Sequence, residues 1–386
     1  MKSLEFESVL FNFHDVILLM TALQCLLFAL LLHGTNSKRV KSTLFLTAFL
    51  FAHALIPLNE LMMWGAEFKV QVRETWPKLY FLPGIAYYLD SLLLFLCIKS
   101  LVFKDFQLKR VDLLHLLPFV SYLLFLWVAF YSNPSAVRTE MINSESFVYS
   151  TSYVSIEFLS KLVRVCYAIA CFVLISRYAD LLQDKHSNME KNHISWLRAL
   201  VVGFLFVMLS EMVLASAKIA GLEHEIYSSI GLTGYYTTFL LVNLLVFTAI
   251  RSFGIFEQVS YEEPAKKPVD EELVNSEVAA DIDNRIRQNK TYMEPDITLD
   301  TLAEALDMMP RDLSMLINRY FGINFYEFIN RYRIEEAKRM LTASEYKDTT
   351  ITDIYLAVGF NSKSVFYTFF KKFEGVTPTS YRQSLG

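Results

Sequence analysis

Seven stretches of this chain are apolar over about twenty residues or more, at roughly 9–33, 42–64, 79–103, 112–131, 157–180, 195–217 and 228–252. A helix needs about 20 apolar residues to cross the ~30 Å hydrocarbon core of a bilayer, so each run is long enough to do so. The seven together assign residues 1–256 to a polytopic transmembrane helix bundle. Composition agrees: hydrophobic residues make up 54% of the 386 and charged residues 20%, with mean hydropathy +0.33. That balance is too apolar for a soluble chain of this length. Lys161 and Arg164 interrupt the fifth run, which makes it the weakest of the seven. The opening MKSLEFESVL carries two acids and one Lys, without a basic leader or a small-residue cleavage site. The first run is therefore expected to stay in place as an anchor.

Lysine and arginine in the short loops set the orientation. Lys38, Arg39 and Lys41 follow the first run, Lys104, Lys109 and Arg110 the third, and Arg177, Lys185, Lys191 and Arg198 flank the fifth loop. The alternate loops hold Lys69 and Arg73, then Arg138, then Lys218. Loops one, three and five are thus expected in the cytoplasm, with the N-terminus outside and the C-terminus inside. Cys25, Cys97, Cys166 and Cys171 all fall in apolar stretches without zinc-ligand spacing, so they read as packing residues. No metal or cofactor is expected.

After Phe256 the composition changes. Residues 257–274 include YEEPAKKPVDEE, a charged, proline-bearing linker, and from about Asn275 the sequence is soluble and helix-like. The net charge of −4 gives no general affinity for nucleic acid. The distribution matters more: residues 261–309 hold five Lys/Arg and thirteen Asp/Glu, whereas 310–386 hold eleven and eight. A modest basic surplus therefore sits in the final segment, where a DNA-facing surface would need it.

That segment shows two helix pairs. Thr298 can cap LDTLAEAL at 299–306, the turn DMM follows, and Pro310 suits the first position of RDLSMLINRYF, which ends at Gly322. Leu299, Leu302, Ala303 and Leu306 face Leu313, Leu316 and Ile317, the spacing of a helix-turn-helix. An amphipathic helix is expected from Phe325 to Leu341. Then the pattern repeats, with Thr350 capping ITDIYLAV, Gly359 in the turn and a helix at 362–374 stopped by Gly375.

With RIEEAKRML, VGFNSKSVF and FKKFEG-TP-YR in order, residues 275–386 resemble the DNA-binding domain of the AraC/XylS family of bacterial regulators. In that family a linker helix holds two units apart, and each recognition helix enters one of two successive major grooves about 34 Å apart. The resemblance places Arg311, Ser314 and Met315 at the bases in the first unit, and Lys363, Ser364, Tyr367 and Thr368 in the second. Asn318, Arg319, Lys371 and Lys372 fall where phosphates are met. It also implies binding as a homodimer to repeated half-sites, with RNA polymerase a candidate partner. Three positions depart from the pattern: Asp307 replaces a turn Gly, Tyr355 a small Ala at the helix interface, and Thr368 an Arg. The second unit is therefore expected to be repacked.

Ionisable groups within spans are costly and commonly functional. Asp15, Glu60, Lys161, Arg164 and Glu211 fall toward the expected external side, and Asp90 near the middle of its span. Two readings stand level. They line an outward-facing cavity that binds a small-molecule or membrane signal, or they are ion pairs joining helices. The expected whole is all-α: a bundle of the bacterial inner membrane joined to a cytoplasmic domain with two helix-turn-helix units. Its expected role is that of a one-component transcription regulator. Two alternatives stay open: a transporter or membrane enzyme with a regulatory tail, and a passively tethered regulator. Against an enzyme, the sequence shows no HExxH, Walker loop or nucleophile motif.

Overall fold

The computed structural model describes residues 11–35, 41–65, 67–103, 106–188, 191–220, 224–252 and 276–384. The linker expected at 257–274 lies outside them, as do Lys38, Arg39 and Lys104. Among the described residues every regular element is helical. The chain divides into two compact units, residues 1–176 with 192–261, and residues 177–191 with 262–386.

The first unit contains α1 (Phe13–Thr35), α2 (Lys41–Trp64), α3 (Phe68–Thr75), α4 (Asp90–Val102), α5 (Leu117–Leu126) and α6 (Ser135–Asn143). These are followed by α7 (Thr151–Gln183), α8 (Lys191–Ile219) and α9 (His224–Ser252), with the end of α7 passing into the second unit. Six helical segments among the described residues are long and apolar enough to cross a membrane: 13–34, 41–64, 77–102, 110–131, 151–183 and 197–217. They coincide with the first six expected runs. The seventh falls on α9, part of which lies outside the described side chains.

Two of these segments are not single α-helices. Pro77 and Pro83 lack the N–H that would continue an α-helical ladder. Each opens a 3₁₀ turn, at Pro77–Leu79 and Leu82–Tyr88, before α4 begins at Asp90. The next segment starts as a 3₁₀ turn at Arg110–Leu116 and ends in a π turn at Trp127–Tyr131. Aromatic rings lock these irregular pieces together. Phe81 meets Tyr80, Phe130 and Phe147 edge-on, with centroids 5.0, 4.8 and 4.9 Å apart.

The second unit contains α10 (Ser276–Asn289), α11 (Leu299–Ala305), α12 (Pro310–Leu316), α13 (Phe325–Thr342), α14 (Ile351–Ala357), α15 (Lys363–Glu374) and α16 (Pro378–Gln383). Side chains cap the helices where the sequence indicates. Thr298 Oγ1 accepts from the Thr301 N–H (3.2 Å), Asn324 Oδ1 from Glu327 (2.9 Å) and Thr350 Oγ1 from Asp353 (3.1 Å). Each cap contributes about 1 kcal/mol. After α12 the chain runs through a π turn, Ile317–Phe321, to Gly322 in a left-handed conformation.

The unit has two cores, and α13 serves both. Its Phe325, Phe328, Ile329 and Tyr332 join Leu302, Leu313 and Leu316 of α11 and α12. Its Tyr326, Ile334, Ala337, Met340 and Leu341 join Ile354, Phe366 and Phe370 of α14 and α15. Burying each such side chain contributes about 1.5–3 kcal/mol. The second core is aromatic, with Tyr355 tilted against Phe366 at 5.8 Å and Phe360 edge-on to it at 5.3 Å. Tyr355, at the position where a small residue was expected, thus packs its ring against this core. Asp307 takes up the turn that a Gly would fill by adopting φ 55°, a left-handed conformation that Asp tolerates better than most residues.

α10 is stapled to α13 by charge. Arg287 bridges Asp283 (2.9 Å) and Glu335 (2.7 Å), Lys290 reaches Glu336 (3.0 Å), and the Tyr332 hydroxyl donates to Asp283 (2.6 Å). Hydrogen bonds from Arg339 first, and then from Lys290, hold the Glu336 carboxyl below its ordinary value. A carboxyl depressed in the folded state stabilises above its unfolded pKa, and that stability is lost as pH falls through the folded value. The protection factors of α10 amides in the full chain, with exchange corrected for its intrinsic rate at each pH, are therefore expected to fall as pH drops below about 4.5, the ordinary Glu value.

Gly359 allows no side chain. Its φ is 96°, and a Cβ there would stand 2.6 Å from the Met293 carbonyl oxygen and 3.0 Å from Arg333 Nε. Gly359→Ala is expected to destabilise this unit by about 2 kcal/mol or more. Faster exchange across α14 and α15 than in the parent chain would register the loss, and unchanged exchange would contradict it.

Candidate nucleic-acid interface

Charged and polar groups are spaced on α12 and α15 by the burial of their apolar partners. In α12, Leu313 and Leu316 point into the core, which leaves Arg311 exposed and Ser314 and Met315 half-buried. Asn318 and Arg319 are exposed on the π turn that follows, and Asn318 Nδ2 stands 3.4 Å from Ser314 Oγ. In α15, Val365, Phe366, Phe369 and Phe370 are buried. Lys363, Ser364, Thr368, Lys371 and Lys372 are left exposed and Tyr367 half-buried. The eleven residues expected at DNA therefore lie on, or directly after, the second helix of each pair.

They are not equivalent. Lys372 Nζ is held 2.7 Å from Glu327 Oε2 of α13, so it braces the linker helix as well as presenting charge. Thr368 Oγ1 donates back to the Ser364 carbonyl (2.8 Å) and Tyr367 shares a hydrogen bond with Thr379 (3.2 Å). Lys363 Nζ lies over the Tyr367 ring at 5.4 Å. Lys371 and Arg319 make no ion pair among the described residues.

A part of this unit comes from far away in the chain. Residues 184–188, between α7 and α8, add one antiparallel bridge, His186 opposite Thr298. The Leu299 N–H donates to the Lys185 carbonyl (2.9 Å) and the Ser187 N–H to the Ile297 carbonyl (3.3 Å). Ser187, Asn330 and Arg333 are each fully buried there. Arg333 Nε donates to the Tyr292 carbonyl (2.7 Å). Its Nη2 donates to the Glu294 carbonyl (2.7 Å) and to Ser187 Oγ (3.2 Å), and Nη1 to Asn188 Oδ1 (3.2 Å). Asn188 Nδ2 donates onward to the Pro295 and Gly359 carbonyls, the latter at 3.0 Å. Burial pushes the Arg333 pKa down to about 10, so the guanidinium is still charged at neutral pH. Sequence reading treats 184–188 as an ordinary loop of the bundle and misses this docking.

The six candidate cavity residues of the first unit separate into two groups. Arg164 Nη2 pairs with Asp90 (2.9 Å), and its Nη1 pairs with Glu211, which also takes Lys161 Nζ (3.1 Å). Those four form one buried ion-pair network joining α4, α7 and α8, as the helix-joining reading expects. Glu60 and Asp15 lie outside that network and line open space, although Lys161 and Glu211 border a small cavity of about 60 Å³ together with Glu60. Glu60 borders cavities of about 430 and about 570 Å³, and Asp15 the second of these.

Residues 302–384 match the family model described as "Helix-turn-helix domain". The chain is 38% identical over 104 residues to an uncharacterized HTH-type transcriptional regulator of Staphylococcus aureus (strain COL), a match covering 26% of this chain and 14% of that protein. It is 35% identical over 101 residues to the uncharacterized HTH-type transcriptional regulator YtdP of Bacillus subtilis (strain 168), covering 26% and 13%. The chain thus spans about one seventh of the length of these curated relatives. Among solved structures it is similar to the C-terminal domain of the two-component response regulator yesN from Fusobacterium nucleatum subsp. nucleatum. Identity is 34%, coverage 28% of this chain and 99% of that one, and the TM-score 0.24. It is also similar to the C-terminal domain of AraT, a response regulator from Geobacillus stearothermophilus, at 35% identity, with coverage of 27% and 84% and TM-score 0.24.

The different surroundings of the two lysines make a testable contrast. Lys371→Ala is expected to weaken binding to duplex DNA and to lower the slope of log affinity on log salt by about one. Lys372→Ala, whose charge is already shared with Glu327, is expected to lower that slope by less. Fluorescence anisotropy of the detergent-solubilised chain with labelled duplex, over a salt series, separates the two. The C-terminal segment of this chain is an AraC-type helix-turn-helix domain, of the kind found in HTH-type transcriptional regulators.

Proposed function

We propose that the chain is a membrane-bound, one-component transcription regulator. Its helical bundle spans the bacterial inner membrane with the N-terminus outside, and its C-terminal domain binds double-stranded DNA from the cytoplasm. A dimer on repeated half-sites, in reach of RNA polymerase, is the assembly this reading entails. The bundle is the sensor, and the chain carries out no catalysis. The apolar lengths of six helices and the surplus of Lys and Arg in alternate loops support the membrane assignment. The helix-turn-helix domain supports DNA as partner.

The single observation that carries the sensor reading is the docking of residues 184–188. A passive tether needs only the covalent linker after α9. Here residues 184–188, which join α7 to α8 and belong to the second unit, supply backbone and side-chain hydrogen bonds to Ile297, Leu299, Asn330, Arg333 and Gly359. They thereby touch the entrance to the first helix pair, the linker helix and the turn of the second pair. Shifting this strap changes how the two recognition helices are held.

Immunoprecipitation of crosslinked DNA with the tagged full chain tests the first half of the proposal. Discrete genomic sites recovered with the membrane fraction are expected, and DNA bound only by a chain that stays in the soluble fraction would refute membrane binding. Asn188→Ala tests the second half, because it removes three strap contacts without touching either recognition helix. Losing these part-buried hydrogen bonds costs about 1 kcal/mol, enough to shift a two-state equilibrium about fivefold. Transcription from a bound promoter is expected to change by that order at equal membrane level. Identical output across conditions would mean that the bundle is only an anchor.

A further inference from the structure

The cavity beside Glu60 has a chemistry of its own. Its walls carry Trp64, Tyr87, Tyr88, Tyr122, Tyr149 and Tyr153, with Glu60 and Glu157 among them and no lysine or arginine among the described lining residues. The neighbouring 570 Å³ cavity shares Glu60, Trp64 and Tyr149, so the two meet along these residues. Their volumes fall in the range of small-molecule sites.

Three observations define what would fit. First, Glu60 is met by hydroxyls alone, Tyr87 on Oε1 and Tyr235 on Oε2 (2.7 Å). It makes no ion pair among the described residues, although Lys161, itself paired with Glu211, borders one small cavity with it. Second, the two cations nearby in the sequence of α7 are engaged, Lys161 with Glu211 and Arg164 with Asp90 and Glu211. An anionic ligand would have to break those pairs and face Glu60 as well. Third, one wall already holds an ammonium in the way the cavity would hold another. Lys161 Nζ lies 3.7 Å from the centroid of the Tyr87 ring, with a carboxylate on its other side. Aromatic faces with a carboxylate are the recognition chemistry of organic ammonium groups.

We propose that this cavity binds an organic cation, a small amine or quaternary ammonium compound, with its charge at Glu60 and its carbon skeleton among the tyrosines and Trp64. This rests on the sensor reading above and names the class of its signal. In the orientation proposed, the site opens on the outer half of the bundle.

The test compares three probes of similar shape on the purified full chain in detergent. These are phenethylammonium, its neutral analogue 2-phenylethanol and its anionic analogue phenylacetate, with tetramethylammonium as a second cation. Binding is read by thermal stabilisation and by tryptophan fluorescence, since Trp64 lines both cavities and the chain has four tryptophans. At least one cation is expected to bind at least tenfold more tightly than the neutral and anionic analogues. Glu60→Gln is expected to reduce that affinity at least tenfold, and Trp64→Phe to remove the fluorescence change. Because the probe series is run on the unmodified chain, a variant that fails to fold does not decide the matter. Equal binding of all three shapes, tighter binding of phenylacetate, or no binding of either cation at millimolar concentration would overturn the proposal. The sensor reading is scored separately by DNA occupancy. Cation binding that leaves promoter occupancy unchanged would keep the site and remove its role as signal. An occupancy change at Asn188→Ala without cation binding would do the reverse.

Discussion

Arg333 is the interaction on which the DNA-binding unit depends. A guanidinium buried without a carboxylate survives only if its donors are met by well-placed neutral oxygens. Here those oxygens come from separate pieces of chain: the Tyr292–Pro295 segment before the first helix pair, and Ser187 and Asn188. Gly359 packs directly against the same group, and so brings in the turn of the second pair. Remove any one of these and the charge is left partly unsolvated in a dry place. The linker helix therefore does more than separate two reading heads. It carries a charged hub around which both heads and the 184–188 strap are assembled.

Much of this was legible in the sequence, for local reasons. Caps at Thr298 and Thr350, the stops at Gly322 and Gly375 and the apolar period of α13 are all short-range signals, and the helices begin and end within a residue or two of them. Tyr355 was legible as a departure at a small-residue position, and its ring lies tilted against Phe366. Asp307 was legible as a departure, and its left-handed backbone shows how the turn accommodates it.

What was not legible is non-local. Nothing in Asp184–Asn188 marks it as a partner of residues more than a hundred positions later, because its contacts use backbone and small polar groups without a period. In the bundle, reading charges along each span found Asp90, Lys161, Arg164 and Glu211 and left open whether they pair with one another or line a cavity. The tyrosines that line the space beside Glu60 were not singled out from the sequence, nor was Glu157 there. The 3₁₀ and π turns at 77–88 and 110–131 were likewise hidden inside runs that are uniformly apolar.

α7 is a single unbroken helix of 33 residues, about 50 Å at 1.5 Å per residue, whereas the hydrocarbon core of a bilayer needs only about 30 Å. Near one end it carries Glu157 at the aromatic cavity, and its other end, Gln183, leads directly into the strap. Such a rod has no proline or glycine at which to absorb a twist or a slide. Residues that border the aromatic cavity and the residue that leads into 184–188 are thus carried on one helix without a break.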